Sequence, residues 1–278
     1  GEKNDFSPFV LKGKRIGIIS DVHIPYHDLD ALNVALNEFK RVKVDTIVLN
    51  GDIIDCYNLS RWEKDPNKRN HAYEMELLTI FFDDLIKMFP KAELVYKLGN
   101  HDERYEKFIY AKSPEFIGMH GRTWKHLLNL RFESCAHCNG TGALKGVECP
   151  NCEKGKVANN VSRGIHLVKG KRVIKAGKLN IVHAHEFNVS SVSVNPARGF
   201  FLKAKTNVIG GHLHRSSEHI EKDLNQQITG AWSTGCLCYM HPDYAPINNW
   251  NLGCADVEVF NDGDFEVHNH KIINGKIK

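Results

Sequence analysis

The chain has 278 residues, of which 42% are hydrophobic and 25% charged, so it can form one large α/β domain with an insertion or two small domains. The net charge of +4, with histidine neutral, permits an anionic substrate without arguing for extended nucleic-acid binding, for which a domain pI above about 9 would be expected. No apolar run approaches the roughly 18 residues of a membrane helix and no signal-like segment leads the chain, so we expect an intracellular, cytoplasmic protein.

The first part of the chain has the pattern of a βαβ unit. An apolar run over 15–20 predicts a buried strand, which ends just before Asp21 and His23. Residues 28–42 have the apolar spacing of a helix, and 45–49 form a second apolar run. Two carboxyl or imidazole side chains therefore follow the first strand directly.

The next two strand ends carry similar side chains. The second strand leads into Gly51-Asp52, with Asp55 three residues later. After a predicted helix, a third strand over 93–98 ends in a segment that contains Asn100 and His101. Metal ligands and acid–base groups are drawn from these residue types.

A loop over 57–69 follows the second strand and is rich in basic and aromatic residues, including Tyr57, Arg61 and Trp62. Such a loop beside a catalytic site is suited to contact a phosphate and a base or ring. An ordinary solvated loop is the alternative interpretation.

Four of the eight cysteines form two Cys-x-x-Cys pairs, with ten residues between the pairs. The four are Cys135, Cys138, Cys149 and Cys152. Four thiolates at this spacing suit a tetrahedral structural zinc, with a disulfide pair or a redox motif as the alternatives. The first pair, followed by Gly140 and Gly142, resembles the zinc repeat of DnaJ-type chaperones. We expect residues 133–160 to form a small zinc-knuckle insertion.

Two further strand ends in the second half carry histidines. The apolar run 179–182 ends at His183, with His185 two residues on, and the run 207–209 leads to His212 and His214. The alternating residues of 164–175 predict a hairpin, and the four strand patterns after residue 214 predict a second sheet.

These motifs together point to a family. In chain order they are Asp-x-His, Gly-Asp-x-x-Asp, Gly-Asn-His-Asp, a strand-end His and Gly-His-x-His, all between residues 16 and 214. This set resembles the calcineurin-like metallophosphoesterase superfamily. The resemblance implies a four-layer α-β-β-α sandwich of two mixed sheets flanked by helices. The phosphoesterase domain would then comprise residues 1–132 and 161–278, interrupted by the insertion.

The resemblance also implies two divalent metals that share one carboxylate. The ligands at the matching positions are Asp21, His23, Asp52, Asn100, His183, His212 and His214. Asp52 would bridge the two metals, and a metal-activated hydroxide would attack phosphorus. Manganese or iron is expected at this pair, with zinc, nickel or cobalt as alternatives.

His101 would protonate the leaving group, with Asp55 orienting its ring. The alternative for Asp55 is a helix cap. Cys56 stands where protein serine/threonine phosphatases carry an arginine, which argues against a phosphoprotein phosphatase. His185 is an alternative to His183 as ligand, or lines the pocket.

The candidate substrate contacts are Arg61, Arg104, His185 and Arg215, and each arginine is alternatively an ordinary surface residue. Cys236 and Cys238 resemble a further ligand pair, but with no third partner nearby in the sequence we interpret them as buried free thiols.

The preferred function is a phosphodiesterase or nuclease that acts on DNA, RNA or nucleotides, with the zinc knuckle binding nucleic acid or a protein. The alternatives are a phosphomonoesterase and a non-catalytic metal-binding scaffold. Intact Asp52, Asn100, His101 and His214 argue against the scaffold.

Overall fold

A computed structural model describes residues 6–61, 65, 67, 70–119, 121–153, 155–160, 162–169, 172–189, 194–242 and 245–278. Six of the thirteen residues of the basic and aromatic loop over 57–69, including Trp62, lie outside these residues. The helices are α1 (Leu29–Val42), α2 (His71–Met88), α3 (Arg104–Lys112), α4 (Trp124–Leu127) and α5 (Pro196–Ala204). The strands are β1 (Phe9–Val10), β2 (Arg15–Ile19), β3 (Thr46–Asn50), β4 (Glu93–Lys97), β5 (Leu130–Ser134), β6 (Ala143–Leu144), β7 (Val147–Glu148), β8 (Lys156–Asn160), β9 (His166–Val168), β10 (Ile174–Ala176), β11 (Leu179–Val182), β12 (Val208–Gly210), β13 (Ser217–Lys222), β14 (Ile228–Ser233), β15 (Gly253–Val259), β16 (Phe265–Ile273) and β17 (Lys276–Ile277).

Two large mixed sheets form the body of the protein. The seven-stranded sheet has the order β17-β16-β15-β2-β3-β4-β9, in which β2, β3, β4 and β9 run parallel. The six-stranded sheet has the order β1-β10-β11-β12-β14-β13, in which β11, β12 and β14 run parallel. The parallel strands of each sheet therefore end at one edge.

The core lies in three layers, as the alternation along β3 illustrates. Ile47 and Leu49 pack with Phe39 of α1 and Phe82 of α2 on the outer face of the seven-stranded sheet. Val48 points the other way, into the apolar layer between the two sheets. A third cluster lies where α5 covers the six-stranded sheet. The predicted α-β-β-α sandwich is confirmed.

The start of α1 shows why the sequence pattern predicted this helix correctly. Asp28 accepts a hydrogen bond from the Ala31 N–H at 2.9 Å and so caps the helix. The apolar residues of α1 then recur on one face, where Ala35 and Phe39 are fully buried.

Two predictions of strand pairing were wrong. The segment 164–175 does not form a hairpin, because β9 pairs with β4 in one sheet whereas β10 pairs with β11 and β1 in the other. Of the last strands, β13 and β14 join the six-stranded sheet, but β15 pairs with β2 and brings β16 into the seven-stranded sheet. Alternating residues indicate a strand but do not specify its non-local partner.

The four-cysteine segment projects on its own two-stranded ladder. β5 and β8 pair antiparallel from Leu130–Asn160 to Ser134–Lys156. An ion pair between Lys156 and Glu76 connects the base of the ladder to α2. The exact boundaries of the insertion stay a prediction. Within the described residues, none of the helices combines the length and apolar character that crossing a bilayer requires.

Candidate metal centre and active site

The two sheets are joined at the edge where their parallel strands end. Asn50, at the end of β3, donates a side-chain hydrogen bond to the Val182 carbonyl at the end of β11, at 2.8 Å. The His212 N–H donates to Asp21 Oδ2, also at 2.8 Å, and joins the loop after β12 to the loop after β2. The loops that carry the predicted site residues therefore meet between the sheets.

Five of the seven predicted metal ligands adopt left-handed backbone conformations. They are Asp21 (φ 56°), His23 (φ 51°), Asp52 (φ 53°), His212 (φ 69°) and His214 (φ 56°). Each such conformation costs on the order of 1–3 kcal/mol for a residue other than glycine, and such residues cluster at functional sites. Gly51, with φ 85°, brings the chain into this turn, where a Cβ atom would overlap the His183 ring.

Asp52 lies at the centre of the site and is almost fully buried. Its Oδ1 accepts a hydrogen bond from the His101 N–H at 2.7 Å, and its Oδ2 lies 3.2 Å from His183 Nε2. A carboxylate oxygen of Asp52 and ring nitrogens of His183 and His212 lie within 4.8 Å of one another, as do Asp52, His23 and His101. Asp52 is thus close to donors on both sides of the site.

A second group of donors lies around Asp21. His214 Nε2 is 3.2 Å from Asp21 Oδ1 and 3.2 Å from His23 Nε2. Two ring nitrogens that each bind one ion at about 2.1 Å are separated by roughly 3.0–3.4 Å. The spacing of His23 and His214 therefore matches that of two ligands on one metal.

The residues of the site fit the divalent metals that the fold family implies. Asp21 Oδ1, Asn100 Oδ1 and His183 Nε2 are buried and lack a hydrogen bond of good geometry within the part of the chain that the structure describes, although Asp21 Oδ1 and His183 Nε2 have the ion-pair contacts given above. Buried polar atoms without partners are costly, and metal coordination would satisfy these three. Carboxylate, amide oxygen and imidazole also form a donor set that divalent transition metals accept.

Charge pairing shifts the pKa values of the central residues. Burial lowers the pKa of His183, but the charge of Asp52, its hydrogen bond and the charge of Asp21 together outweigh burial and raise the pKa to about 10. Burial also lowers the pKa of His214, but the charge of Asp21 and its hydrogen bond, with smaller contributions, raise it to about 9. By contrast, burial and the His183 charge lower the pKa of His212 to about 4. Because metals bind neutral imidazole, metal binding here would release protons.

His101 lies between Asp55 and Arg104. Its Nδ1 is 2.8 Å from Asp55 Oδ1, and its Nε2 is 3.0 Å from Arg104 Nη2. Arg104 also donates from Nη1 to the Asp55 carbonyl at 2.9 Å. Burial lowers the pKa of His101, but the charges of Asp52 and Asp55 raise it above its usual value. The short helix after Asp55 is not capped by this side chain, which contacts His101 and His23 instead.

The structure places His183, rather than His185, against Asp52. The His183 Nδ1–H donates to the Asn50 carbonyl at 2.7 Å, which leaves Nε2 facing the carboxylate. The His185 ring centroid is 5.4 Å from that of His183, and its Nε2 lies 3.8 Å from Glu103 Oε1. His185 therefore lines the site between His183 and Glu103.

Asp102 is a site residue to which the sequence analysis gave no role. Its Oδ2 accepts hydrogen bonds from the N–H groups of Asp52 at 2.7 Å and Gly99 at 2.6 Å, and its Oδ1 accepts one from the Tyr96 hydroxyl at 2.6 Å. Burial and the nearby Asp52 charge raise its pKa to about 6. Asp102 thereby holds the Asp52 turn against the end of β4, and its place in Gly-Asn-His-Asp was the signal available in the sequence.

The three predicted arginine contacts lie at different distances from the centre. Arg104 is part of the site through His101 and Asp55. Arg61 is exposed on the loop after β3, and Arg215 is half-buried directly after His214. Contact of any of the three with phosphate stays a prediction.

The four knuckle cysteines form a separate cluster. Cys135 Sγ lies 4.0 Å from Cys149 Sγ, Cys138 Sγ lies 3.5 Å from Cys152 Sγ, and all four sulfurs lie within 4.8 Å of one another. Four sulfurs at about 2.3 Å from a tetrahedral zinc are separated by roughly 3.8 Å, whereas disulfide sulfurs lie about 2.05 Å apart. The alternative of a disulfide pair is therefore wrong, and the cluster fits a zinc insertion.

Comparison with known proteins gives a family match that covers most of the chain. The model of the calcineurin-like phosphoesterase family matches residues 14–216, which include all five motifs. The Gene 54 protein of Mycobacterium phage L5 is 24% identical over 253 residues, which are 87% of this chain and 88% of the phage protein.

The solved structures to which this chain is similar have low sequence identity and low TM-scores. Vacuolar Protein Sorting 29 from Cryptosporidium parvum is 11% identical with a TM-score of 0.44, over 96% of this chain and 95% of that one. A dimetal phosphatase from Danio rerio is 12% identical with a TM-score of 0.39, over 89% and 93% of the two chains. The family assignment depends on the match over residues 14–216 and on the site geometry. The chain belongs to the calcineurin-like phosphoesterase family.

Proposed function

We propose that this protein is a phosphodiesterase that uses two divalent metals and acts on nucleic acid or nucleotides. The observation that carries the proposal is the position of Asp52, whose carboxylate lies within 4.8 Å of His23 on one side and of His183 and His212 on the other. One carboxylate between two groups of donors is the arrangement of a shared ligand in a two-metal site.

The described donors divide into two sets around Asp52. Asp21, His23 and His214 would hold the first metal, and Asn100, His183 and His212 would hold the second. When bound, the two ions would polarise the phosphate ester and lower the pKa of water.

His101 supplies the proton for the leaving oxygen. Asp55 fixes the ring through Nδ1, so that Nε2 is the nitrogen available to a substrate. Arg104 contacts that Nε2 in the structure. Because a guanidinium can only donate a hydrogen bond, Nε2 accepts it and carries no proton in this arrangement. A substrate phosphate would draw Arg104 away from His101 Nε2, and Nε2 could then hold a proton and donate it.

Two observations favour a diester that carries bases or rings. The indole of Trp250 lies edge-on to His214, with ring centroids 4.1 Å apart, and Tyr57 packs against Tyr26 at 6.3 Å. Aromatic faces beside a phosphate site suit base stacking. The charge of Arg104 is partly balanced by Asp55 Oδ2 at 3.8 Å, which suits a singly charged diester better than a dianionic monoester.

The proposal is tested by a substrate panel. The manganese-loaded protein is assayed on bis-p-nitrophenyl phosphate, p-nitrophenyl phosphate, single-stranded and duplex DNA, RNA and cyclic nucleotides. We expect diester cleavage that Asp52→Asn abolishes and that His219→Gln, remote on β13 and paired with Glu221, leaves unchanged. Cleavage of monoesters alone would exclude the diesterase. Equal activity of wild type and Asp52→Asn on every substrate would favour the scaffold.

A further inference from the structure

Two buried thiols lie behind the first metal position. Cys236 and Cys238 follow β14 in a segment that hydrogen-bonds to the loop after β2: the Leu237 N–H donates to the Asp21 carbonyl at 3.1 Å. Cys238 also pairs with His27 in an isolated antiparallel bridge. This second connection holds the segment in register beside the Asp-x-His motif.

Cys238 is close to two of the predicted metal ligands. Its sulfur and ring nitrogens of His23 and His214 lie within 4.8 Å of one another, and all three residues are buried. His23 Nδ1 is occupied by Asp55, so Nε2, which lies 3.2 Å from His214 Nε2, is the ring nitrogen that remains for a metal. An ion bound at about 2.1 Å from nitrogen and about 2.3 Å from sulfur requires donor separations of roughly 3.1–4.4 Å, depending on geometry. The observed upper limit of 4.8 Å is slightly longer than this range, so a small closing movement on metal binding would bring the three donors onto one ion.

The neighbouring thiol of Cys236 also lies near this position. A hydrogen bond with Cys238 lowers the pKa of Cys236, burial opposes that shift, and the His214 charge adds to the lowering. Cys236 Sγ faces the carbonyl of Asn251 at 3.7 Å and the sulfur of Met240 at 4.0 Å. It is as deeply buried as Cys238 and only two residues away. Replacement of Cys236 therefore tests which of the two thiols supplies a sulfur ligand, whereas Cys254, a buried thiol of β15 in the main core, serves as the matched control.

We propose that Cys238 is a thiolate ligand of the first metal, together with Asp21, His23 and His214. The proposal rests on the two-metal centre of the proposed function. On binding, the Cys238 thiol loses its proton to solvent and a metal–sulfur bond forms, without any change of oxidation state. A soft sulfur donor favours zinc, cobalt or iron over manganese at this position, whereas the second position keeps oxygen and nitrogen donors. The two metal positions are thus chemically different.

Cobalt spectroscopy tests this assignment in the full chain. The knuckle keeps its zinc, the catalytic pair is emptied with a mild chelator, and cobalt(II) is added until two ions are bound. A measured zinc content of one per chain shows that cobalt has not entered the knuckle. X-ray absorption at the cobalt edge then reports only the atoms around cobalt.

We expect a sulfur neighbour at about 2.3 Å from cobalt and a sulfur-to-cobalt charge-transfer band in the near ultraviolet. Both signals should disappear in Cys238→Ser, and they should persist in Cys236→Ser and in the control Cys254→Ser. Two bound cobalt ions without a sulfur neighbour, or an unchanged signal in Cys238→Ser, would overturn the thiolate assignment and leave the proposed function standing. If no cobalt binds, both the thiolate assignment and the proposed two-metal function are wrong. Should Cys238→Ser fail to fold, the Cys236→Ser spectrum decides, because a sulfur neighbour that persists in that variant is not Cys236 Sγ.

Discussion

The carboxylate of Asp55 lies 2.8 Å from Nδ1 of His101. The same oxygen lies 2.9 Å from Nδ1 of His23. One carboxylate thus orients both the proposed acid and a proposed metal ligand, and it directs Nε2 of each ring away from itself. Because Asp55 contacts both rings, the role of His101 has to be tested by replacement of His101 itself rather than of Asp55.

Replacement of His101 should reduce the rate according to the leaving group. His101→Gln removes the proton donor, so we expect a loss of about 10²- to 10⁴-fold on a nucleotide diester, whose alkoxide leaving group needs that proton. On bis-p-nitrophenyl phosphate the loss should be much smaller, because nitrophenolate departs without protonation. Steady-state kcat on both substrates measures the difference, with His219→Gln as control. Equal losses on the two substrates would exclude the acid role.

Replacement of Asp102 should destabilise the fold and disturb the Asp52 turn. Asp102 accepts backbone hydrogen bonds through both oxygens. In Asp102→Asn an NH₂ group replaces one of these oxygens, and that donor would face backbone N–H groups, which are also donors. Burying that unsatisfied contact costs about 1–3 kcal/mol. Urea unfolding measures the loss in Asp102→Asn, and Asp30→Asn on the exposed face of α1 should stay within about 0.5 kcal/mol of wild type. A wild-type midpoint for Asp102→Asn would contradict this role.

A carboxylate far from the site should give stability a defined pH window. Asp256 binds His268 at 2.8 Å and His270 at 2.6 Å. Burial opposes ionisation, yet the two histidines lower the pKa of Asp256 below its usual 3.8, and the hydrogen bond to Asp256 raises the pKa of His268 above its usual 6.5. The Asp256 contribution is present above 3.8 and lost as pH falls through the lowered pKa. The His268 contribution is present below 6.5 and lost as pH rises through the raised pKa.

The stability difference between wild type and Asp256→Asn should therefore be largest between about pH 4 and pH 6.5 and shrink on either side. Unfolding free energies at a series of pH values measure it, with Glu258→Gln on the same strand as control. A difference that does not vary with pH would contradict the pairing.

The knuckle should bind its zinc independently of the catalytic pair. Cys149→Ser removes one of four thiolates, so zinc content should fall by one ion per chain and the amides of 135–155 should lose exchange protection. Cys254→Ser, a buried thiol of β15 that packs in the main core, should retain the zinc. Unchanged zinc in Cys149→Ser would show that the metal lies elsewhere.

The sequence predicted most of the site because its residues follow apolar strands, and parallel strands end at a common edge. Asp52 and His183 meet for this reason although they are far apart in the chain. The hairpin at 164–175 was wrong because β9 finds its partner β4 about 70 residues away, and no local pattern encodes that choice. Cys238 lacked an apparent partner in the sequence for a similar reason, since His23 reaches it from the other end of the domain.

The central claim is that two metals lie on either side of Asp52. Crystals grown with cobalt(II), which both sets of donors accept, and measured near its absorption edge test it most directly. We predict two anomalous peaks that flank the Asp52 carboxylate, one beside Asp21, His23 and His214 and one beside Asn100, His183 and His212. A single peak, or peaks that do not contact Asp52, would contradict the account.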